Sequence, residues 1–146
     1  MIRQVIGELT AAGDKRAGDI KLELGPAAPI RADRAQMSQL LHNIIGNAMK
    51  YGRPDTPVNV RLGFVGGQMA ELAVSDQGEG IPPEHLPRLT ERFYRVDSAR
   101  SRSLGGTGLG LAIVKHVVER HRGRLDIESE VGIGTTVKVR LPLSAE

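Results

Sequence analysis

Residues 105–111 read Gly105-Gly106-Thr107-Gly108-Leu109-Gly110-Leu111, directly ahead of a run with helical period. Backbone N–H groups in a glycine-rich turn at a helix N-terminus suit phosphate. The stretch is therefore either a phosphate loop or a flexible hinge. Two familiar phosphate loops do not fit it. A Gly-x-Gly-x-x-Gly fingerprint counted from Gly106 needs a third glycine where Leu111 stands, and Arg100-Ser101-Arg102-Ser103 ahead of it is no strand. A Walker A loop needs Lys and Ser or Thr after its last glycine, whereas Gly110 is followed by Leu111-Ala112. What remains is a phosphate loop of another kind, or only a hinge.

The flanking sequence says which fold surrounds it. Five stretches alternate apolar and polar residues with period two: Ile20 to Leu24, Val58 to Phe64, Ala70 to Ser75, Arg124 to Glu128 and Thr136 to Leu141. Strict alternation predicts strands with one wet face, since a sheet covered on both faces shows continuous apolar runs. Gly66-Gly67 and the stretch from Glu130 to Gly134 read as hairpin connections. Two segments have helical period. Met37, Leu40, Leu41, Ile44, Ile45 and Ala48 form one apolar stripe, with Asp33 as N-cap and Gly52-Arg53-Pro54 as the stop. Leu109, Ile113, Val114, Val117 and Val118 form the other, stopped at Gly123. Pro82-Pro83-Glu84 opens a shorter helix, and residues 95–107 read as a mobile loop. The expected fold is a two-layer α/β sandwich: a mixed, mostly antiparallel sheet of about five strands with helices on one face.

Composition narrows the class. The chain has 146 residues, enough for one core. Its 18 glycines, 18 of 146, are about 12%, against a usual ~7%. It has no cysteine, which excludes disulfides and thiolate metal sites. His116 and His121 are five apart, not the three or four that a shared helical metal site needs. No apolar run approaches the ~18 residues of a membrane span, and Met1-Ile2-Arg3-Gln4-Val5 opens no signal peptide. These features predict a cytoplasmic domain. The net charge of +3 suits an anionic ligand, but four aromatic residues and dispersed Lys and Arg give no stacking platform for nucleic acid.

Two more segments carry chemistry. Asn43, Asn47, Lys50 and Tyr51 are spaced i, i+4, i+7, i+8, within an arc of roughly 100° beside the apolar stripe. Asn oxygens can ligate Mg²⁺, and a Lys one turn on can reach a phosphate. The same spacing also describes a solvated helix face. Asp76-Gln77-Gly78-Glu79-Gly80-Ile81 ends the third strand. Asp76 shares the parity of Ala70, Leu72 and Val74 and so faces the core side, where a carboxylate needs a donor such as the exocyclic amine of adenine. Gly78 and Gly80 would let a ligand approach the backbone. A strand-ending Asx turn is the plainer alternative.

The order of these segments resembles the ATP-binding (Bergerat) fold of the GHKL superfamily: sensor histidine kinases, type II topoisomerases, Hsp90 chaperones and mismatch-repair proteins. In detail it resembles the HATPase_c catalytic domain of a sensor histidine kinase. Residues 41–52 are similar to its N box and Asp76 to Ile81 to its first Gly box. Glu91-Arg92-Phe93-Tyr94-Arg95-Val96-Asp97 is similar to its F box, residues 106–115 to its second Gly box, and Gly132-Ile133-Gly134-Thr135-Thr136 to its terminal Gly motif. The run from Arg88 to Asp97 further resembles the phosphate-responsive PhoR type.

Carried over by position, the resemblance implies Asn47 as the Mg²⁺ ligand, Asn43 beside metal or phosphate and Lys50 on phosphate, the three together catalytic. Tyr51 flanks the nucleotide. Asp76 binds the adenine amine, with Gly78, Gly80 and Ile81 in the same loop. Phe93 anchors a lid of about residues 82–107, and Gly106, Thr107, Gly108, Leu109, Gly110 and Leu111 hold the phosphates. Arg92, Arg95, Arg100 and Arg102 are the lid cations that could approach the γ-phosphate. ATP-hydrolysing relatives carry a general-base Glu where this chain has Asn43, and an amide takes no proton from water near neutral pH. The implied chemistry is γ-phosphoryl transfer to a histidine on a separate dimerisation hairpin, and from there to a response regulator. None of His42, His85, His116 and His121 is followed by the acidic residue and nearby Pro of the family's phosphoacceptor. Residues 1–12 resemble the end of the connection from that hairpin, and 13–146 the catalytic domain. The isolated domain is expected to be a monomer that binds Mg-ATP without phosphorylating itself, its parent attached to the inner membrane.

Overall fold

The computed structural model describes residues 2–12, 20–25, 32–53, 56–66, 68–91 and 110–143. The predicted alternation becomes β1 (Ile20–Leu24), β2 (Val58–Val65), β3 (Met69–Asp76), β4 (Arg124–Glu130) and β5 (Gly134–Pro142). These strands form one sheet in the order β1-β2-β3-β5-β4. β1 and β2 run parallel, with Ile20 opposite Val58, and the other three pairings are antiparallel. The parallel pair follows from α2 (Arg34–Tyr51), which separates β1 from β2 and carries the chain back along the sheet.

α2 starts and stops where its side chains dictate. The Asp33 carboxylate accepts the Gln36 N–H at 3.0 Å, capping the first turn. At the other end the Gly52 N–H closes on the Ala48 carbonyl at 3.0 Å, and the Gly52 backbone is extended. α1 (Ile2–Ala12), α2 and α3 (Gly110–Arg120) supply the helical side of one core. Val5, Leu40, Ile44, Ile45, Val114, Val117 and Val118 are buried there with Val58, Val60, Val74 and Val139 of the sheet. The opposite face of the sheet is polar. Glu71 and Arg140 are register partners on β3 and β5 and meet at 2.8 Å, Lys138 meets Glu128 at 2.9 Å, and Ser75 and Thr136 share a hydrogen bond of 2.9 Å. The architecture is the expected two-layer sandwich, a mixed and mostly antiparallel sheet with its helices on one face.

α3 ends in a manner the sequence does not suggest. The Gly123 N–H donates to the Val118 carbonyl at 2.9 Å and the Arg122 N–H to the Glu119 carbonyl at 3.1 Å, the two bonds of a Schellman cap. The left-handed residue of that cap is Arg122, with φ of 57°, and not Gly123. Gly123 serves packing instead: a Cβ there would overlap the Arg140 carbonyl oxygen on β5 and lie 2.7 Å from Leu141 Cδ2. The Pro82-Pro83-Glu84 signal opens a short 3-10 helix, Pro83–Arg88.

Candidate functional site

Three pieces of backbone converge at one end of the sandwich. The first is the last three turns of α2, which carry Asn43, Asn47, Lys50 and Tyr51; both asparagines are half-buried and Lys50 is exposed. The second is the loop from Asp76 to Ile81, which leaves the end of β3. The third is the first turn of α3, which carries Gly110 and Leu111.

Gly110 ties the third piece to the first. A Cβ built on it would lie 3.3 Å from Asn43 Oδ1 and 3.7 Å from Asn47 Nδ2. The N-terminus of α3 thus rests on the two asparagines, with no side chain between. The first turn of a helix favours an anion through its N–H groups and dipole, and here it sits beside two amide side chains. Asn43 and Asn47 thus share one face of α2, against the last glycine of the glycine-rich stretch.

The Asp76 loop is fastened to α2 through backbone alone. Gly52 and Gly78 form an isolated antiparallel bridge, and the Arg53 N–H donates to the Gln77 carbonyl at 3.2 Å. A Cβ on Gly78 would overlap the Tyr51 carbonyl oxygen, and one on Gly80, whose φ is 77°, would overlap the Glu130 carbonyl oxygen. The close approach that these glycines permit is therefore to the protein's own chain: α2 on one side and the β4–β5 hairpin on the other. Of the pair, only Gly80 holds a left-handed φ.

Asp76 continues β3 with Thr135 of β5 as its register partner. Its Oδ1 accepts the Gly78 N–H at 2.9 Å, so the Asx turn is formed. A carboxylate offers about four lone-pair sites on its two oxygens, and the turn uses one of them. The turn alone does not exclude a further partner on this carboxylate. Ile81 follows, its N–H held by the Ser129 hydroxyl at 2.8 Å. The predicted Phe93, Gly106, Thr107, Gly108 and Leu109, with Arg92, Arg95, Arg100 and Arg102, lie outside the described residues.

Among the described residues no group of three or more His, Asp or Glu side chains is placed to hold a metal ion. Asn43 and Asn47 offer neutral amide oxygens. That donor set fits Mg²⁺, which takes one or two protein ligands and completes its shell with phosphates and water. No helix among the described residues is long and apolar enough to cross a membrane.

The sequence reading passed over two residues that shape this end. Arg53 donates from its guanidinium to the Gly132 carbonyl at 3.3 Å, joining α2 to the tip of the β4–β5 hairpin. Ser129 joins the same hairpin to the loop. Its signal was present: Ser129 and Thr135 share the inward parity of Ile127 and Val137, where apolar residues are expected.

Comparison with known proteins agrees with this geometry. Residues 32–145 match the family described as histidine kinase-, DNA gyrase B- and HSP90-like ATPase. The chain is 43% identical over 136 residues to the phosphate regulon sensor protein PhoR of Pseudomonas aeruginosa, an alignment that takes in 93% of this chain and 30% of that protein. It is 43% identical over 111 residues to the sensor histidine kinase YkoH of Bacillus subtilis, covering 76% of this chain and 24% of that one. The chain thus spans less than a third of either sensor. Among solved structures, a mycobacterial sensor histidine kinase, MprB, superposes with a TM-score of 0.81 at 34% identity, over 97% of this chain and 93% of that one. The chain belongs to the histidine kinase-, DNA gyrase B- and HSP90-like ATPase family, and within it is an ATP-binding catalytic domain of the sensor histidine kinase type.

Proposed function

We propose that this domain binds Mg-ATP and passes the γ-phosphoryl group to a histidine on a separate dimerisation hairpin, from which a response regulator receives it. The observation that supports the reading is the close approach of Gly110 to Asn43 and Asn47, which sets the first turn of α3 beside the amide pair, where both could serve one anionic ligand. Asn47, with Asn43 beside it, would hold the ion. Mg²⁺, when bound, would neutralise charge on the β- and γ-phosphates. Lys50 contributes a cation one turn further along α2, and Asp76 accepts from the exocyclic amine of the base. Asn43 in place of a carboxylate leaves water without a general base at that position, which favours transfer over hydrolysis. The phosphates are oriented and the acceptor is brought to them; positioning and electrostatics carry the step.

Residues 1–12 follow the hairpin and pack as α1 onto the catalytic unit of 13–146, on the cytoplasmic side of a parent attached to the inner membrane. Alone, the domain is a monomer. The test is calorimetric titration with ATP, with and without Mg²⁺, followed by incubation of γ-labelled ATP with the chain alone and with the parent's dimerisation hairpin. Mg²⁺-dependent binding, no stable label on the chain alone and label on the hairpin are expected. Stable self-labelling, or fast release of inorganic phosphate, would overturn the reading.

A further inference from the structure

We propose that Ser129 is a positioning residue for the nucleotide, one that acts through the Asp76 loop and touches no ligand itself. This rests on the functional reading above. Three residues lie in one row across three strands: Ser129 on β4 is the register partner of Thr135 on β5, which is in turn the partner of Asp76 on β3. All three sit at inward parity, at the end of the sheet where the core stops being apolar. A polar residue at such a position is costly unless its hydrogen bonds are made.

Ser129 makes them, and each one bears on the loop. Its Oγ accepts the Ile81 N–H at 2.8 Å and donates to the Gly134 carbonyl at 3.0 Å. With its single proton so committed, the Thr135 hydroxyl 2.8 Å away is the donor to Ser129. One hydroxyl therefore joins the end of the Asp76–Ile81 loop to the end of the β4–β5 turn. A second tie runs parallel to it, from the Gly132 N–H to the Glu79 carbonyl at 2.7 Å. At its start the loop is fixed by β3, and in its middle by the Gly52–Gly78 bridge. Ser129 fixes its far end.

The loop between these anchors carries the carboxylate that reads the base, whereas the phosphate end of the site is built from α2 and α3, and none of the Ser129 hydrogen bonds runs to either helix. Loss of the hydroxyl should therefore act on base recognition and leave phosphate binding alone. A merely structural role would weaken both together.

The experiment compares the unsubstituted chain with Ser129→Ala, Ser129→Cys and Ser129→Thr. It measures affinity for Mg-ATP, Mg-GTP and inorganic tripolyphosphate with Mg²⁺, together with amide exchange at Ile81 and Val74. Ser129→Ala is expected to lose about tenfold in ATP affinity with tripolyphosphate affinity unchanged, so that preference for ATP over GTP falls; this is the scale of one lost hydrogen bond. Exchange at Ile81 rises while Val74 in the core stays protected. Ser129→Thr, which keeps the hydroxyl, restores both readouts, and Ser129→Cys, a weak acceptor, falls between. The Thr and Cys variants carry the comparison if the Ala variant does not fold. Unchanged ATP preference in Ser129→Ala, or a parallel loss for all three ligands, overturns the inference. Failure of the unsubstituted chain to bind ATP overturns the functional reading, and this inference with it.

Discussion

The imidazole of His121 accepts the backbone N–H of Asp33 at its Nε2, at 3.1 Å, while its Nδ1 is 2.8 Å from the Val117 carbonyl. A backbone amide can only donate and a carbonyl can only accept, so Nε2 is the acceptor and Nδ1 the donor of these two bonds. Asp33 is the N-cap of α2 and His121 follows the last residue of α3. α2 and α3 are thereby antiparallel: the C-terminal end of α3 meets the start of α2 at His121 and Asp33, and the first residue of α3, Gly110, approaches Asn43 in the middle of α2. The spacings agree: 10 residues of α2 and 11 of α3 rise about 15 Å and 16.5 Å.

Replacing His121 with Phe keeps the bulk and removes the acceptor. It leaves the Asp33 N–H without that partner, and a loss of about 1 kcal/mol in urea-induced unfolding is expected. No change in the unfolding midpoint would show that the bond contributes nothing.

The cap of α3 gives a prediction of opposite sign. Arg122 holds a left-handed φ of 57° inside a Schellman motif, and an L side chain there costs roughly 1–2 kcal/mol. Arg122→Gly relieves that cost and adds backbone entropy to the unfolded chain, worth roughly 0.5–1 kcal/mol. The net expectation is a gain of up to about 1.5 kcal/mol in unfolding free energy, and a lower thermal midpoint than the parent would contradict it.

α1 is held to α2 by two unequal contacts. The His42 Nε2 meets the Glu8 carboxylate at 2.8 Å, but Glu8 is half exposed, and a pair of that kind is worth well under about 1 kcal/mol. Val5 is 2% exposed within the core cluster. Val5→Ala removes two buried methylene equivalents and leaves a cavity, a loss of about 2 kcal/mol. Chemical unfolding of Val5→Ala and Glu8→Gln should rank them in that order, and the reverse order would mean that polar contact and not burial docks α1.

How far the fold was legible follows from which residues spoke locally. The alternation of Val58, Val60 and Leu62, the stripe from Met37 to Ala48 and the Asp33 cap are local patterns, and each becomes the element that it predicts. The parallel pairing of β1 with β2 joins residues about 38 apart, and no local pattern encodes it. Ile2, Val5 and Ile6 have helical spacing, yet 11 residues with no cap or charge signal read as a connection, and only burial against α2 makes them part of the core. In the site, Asp76 stood out because a carboxylate at inward parity needs a partner, and Asn43 and Asn47 because their spacing puts them on one face of a helix beside its apolar stripe. The reason for Gly78 was not, because the atom it makes room for, the Tyr51 carbonyl oxygen, belongs to a segment 27 residues away.

That steric reason makes Gly78 testable on its own. Gly78→Ala pushes a methyl into the Tyr51 carbonyl and must separate the loop from α2. A backbone neighbour cannot swing aside as a flexible side chain does, so a cost of about 1–3 kcal/mol is expected, with ATP affinity falling beside it. A variant as stable as the parent would show that the bridge between Gly52 and Gly78 is not maintained in solution.

Asp76→Asn separates the turn from the ligand role. The Asn side-chain oxygen can still accept the Gly78 N–H that Asp76 Oδ1 accepts at 2.9 Å, so the Asx turn survives and stability should stay within about 0.5 kcal/mol of the parent. What the substitution removes is the negative charge that strengthens a hydrogen bond from the adenine amine, and it turns one acceptor into a donor facing that amine. The expected loss in Mg-ATP affinity is about 1–3 kcal/mol, read by calorimetry, with little change for inorganic tripolyphosphate, which has no base. Equal loss for both ligands would move Asp76 from the base to the phosphate end of the site. Unchanged ATP affinity would leave Asp76 as a turn residue only, and the base would have to be read elsewhere.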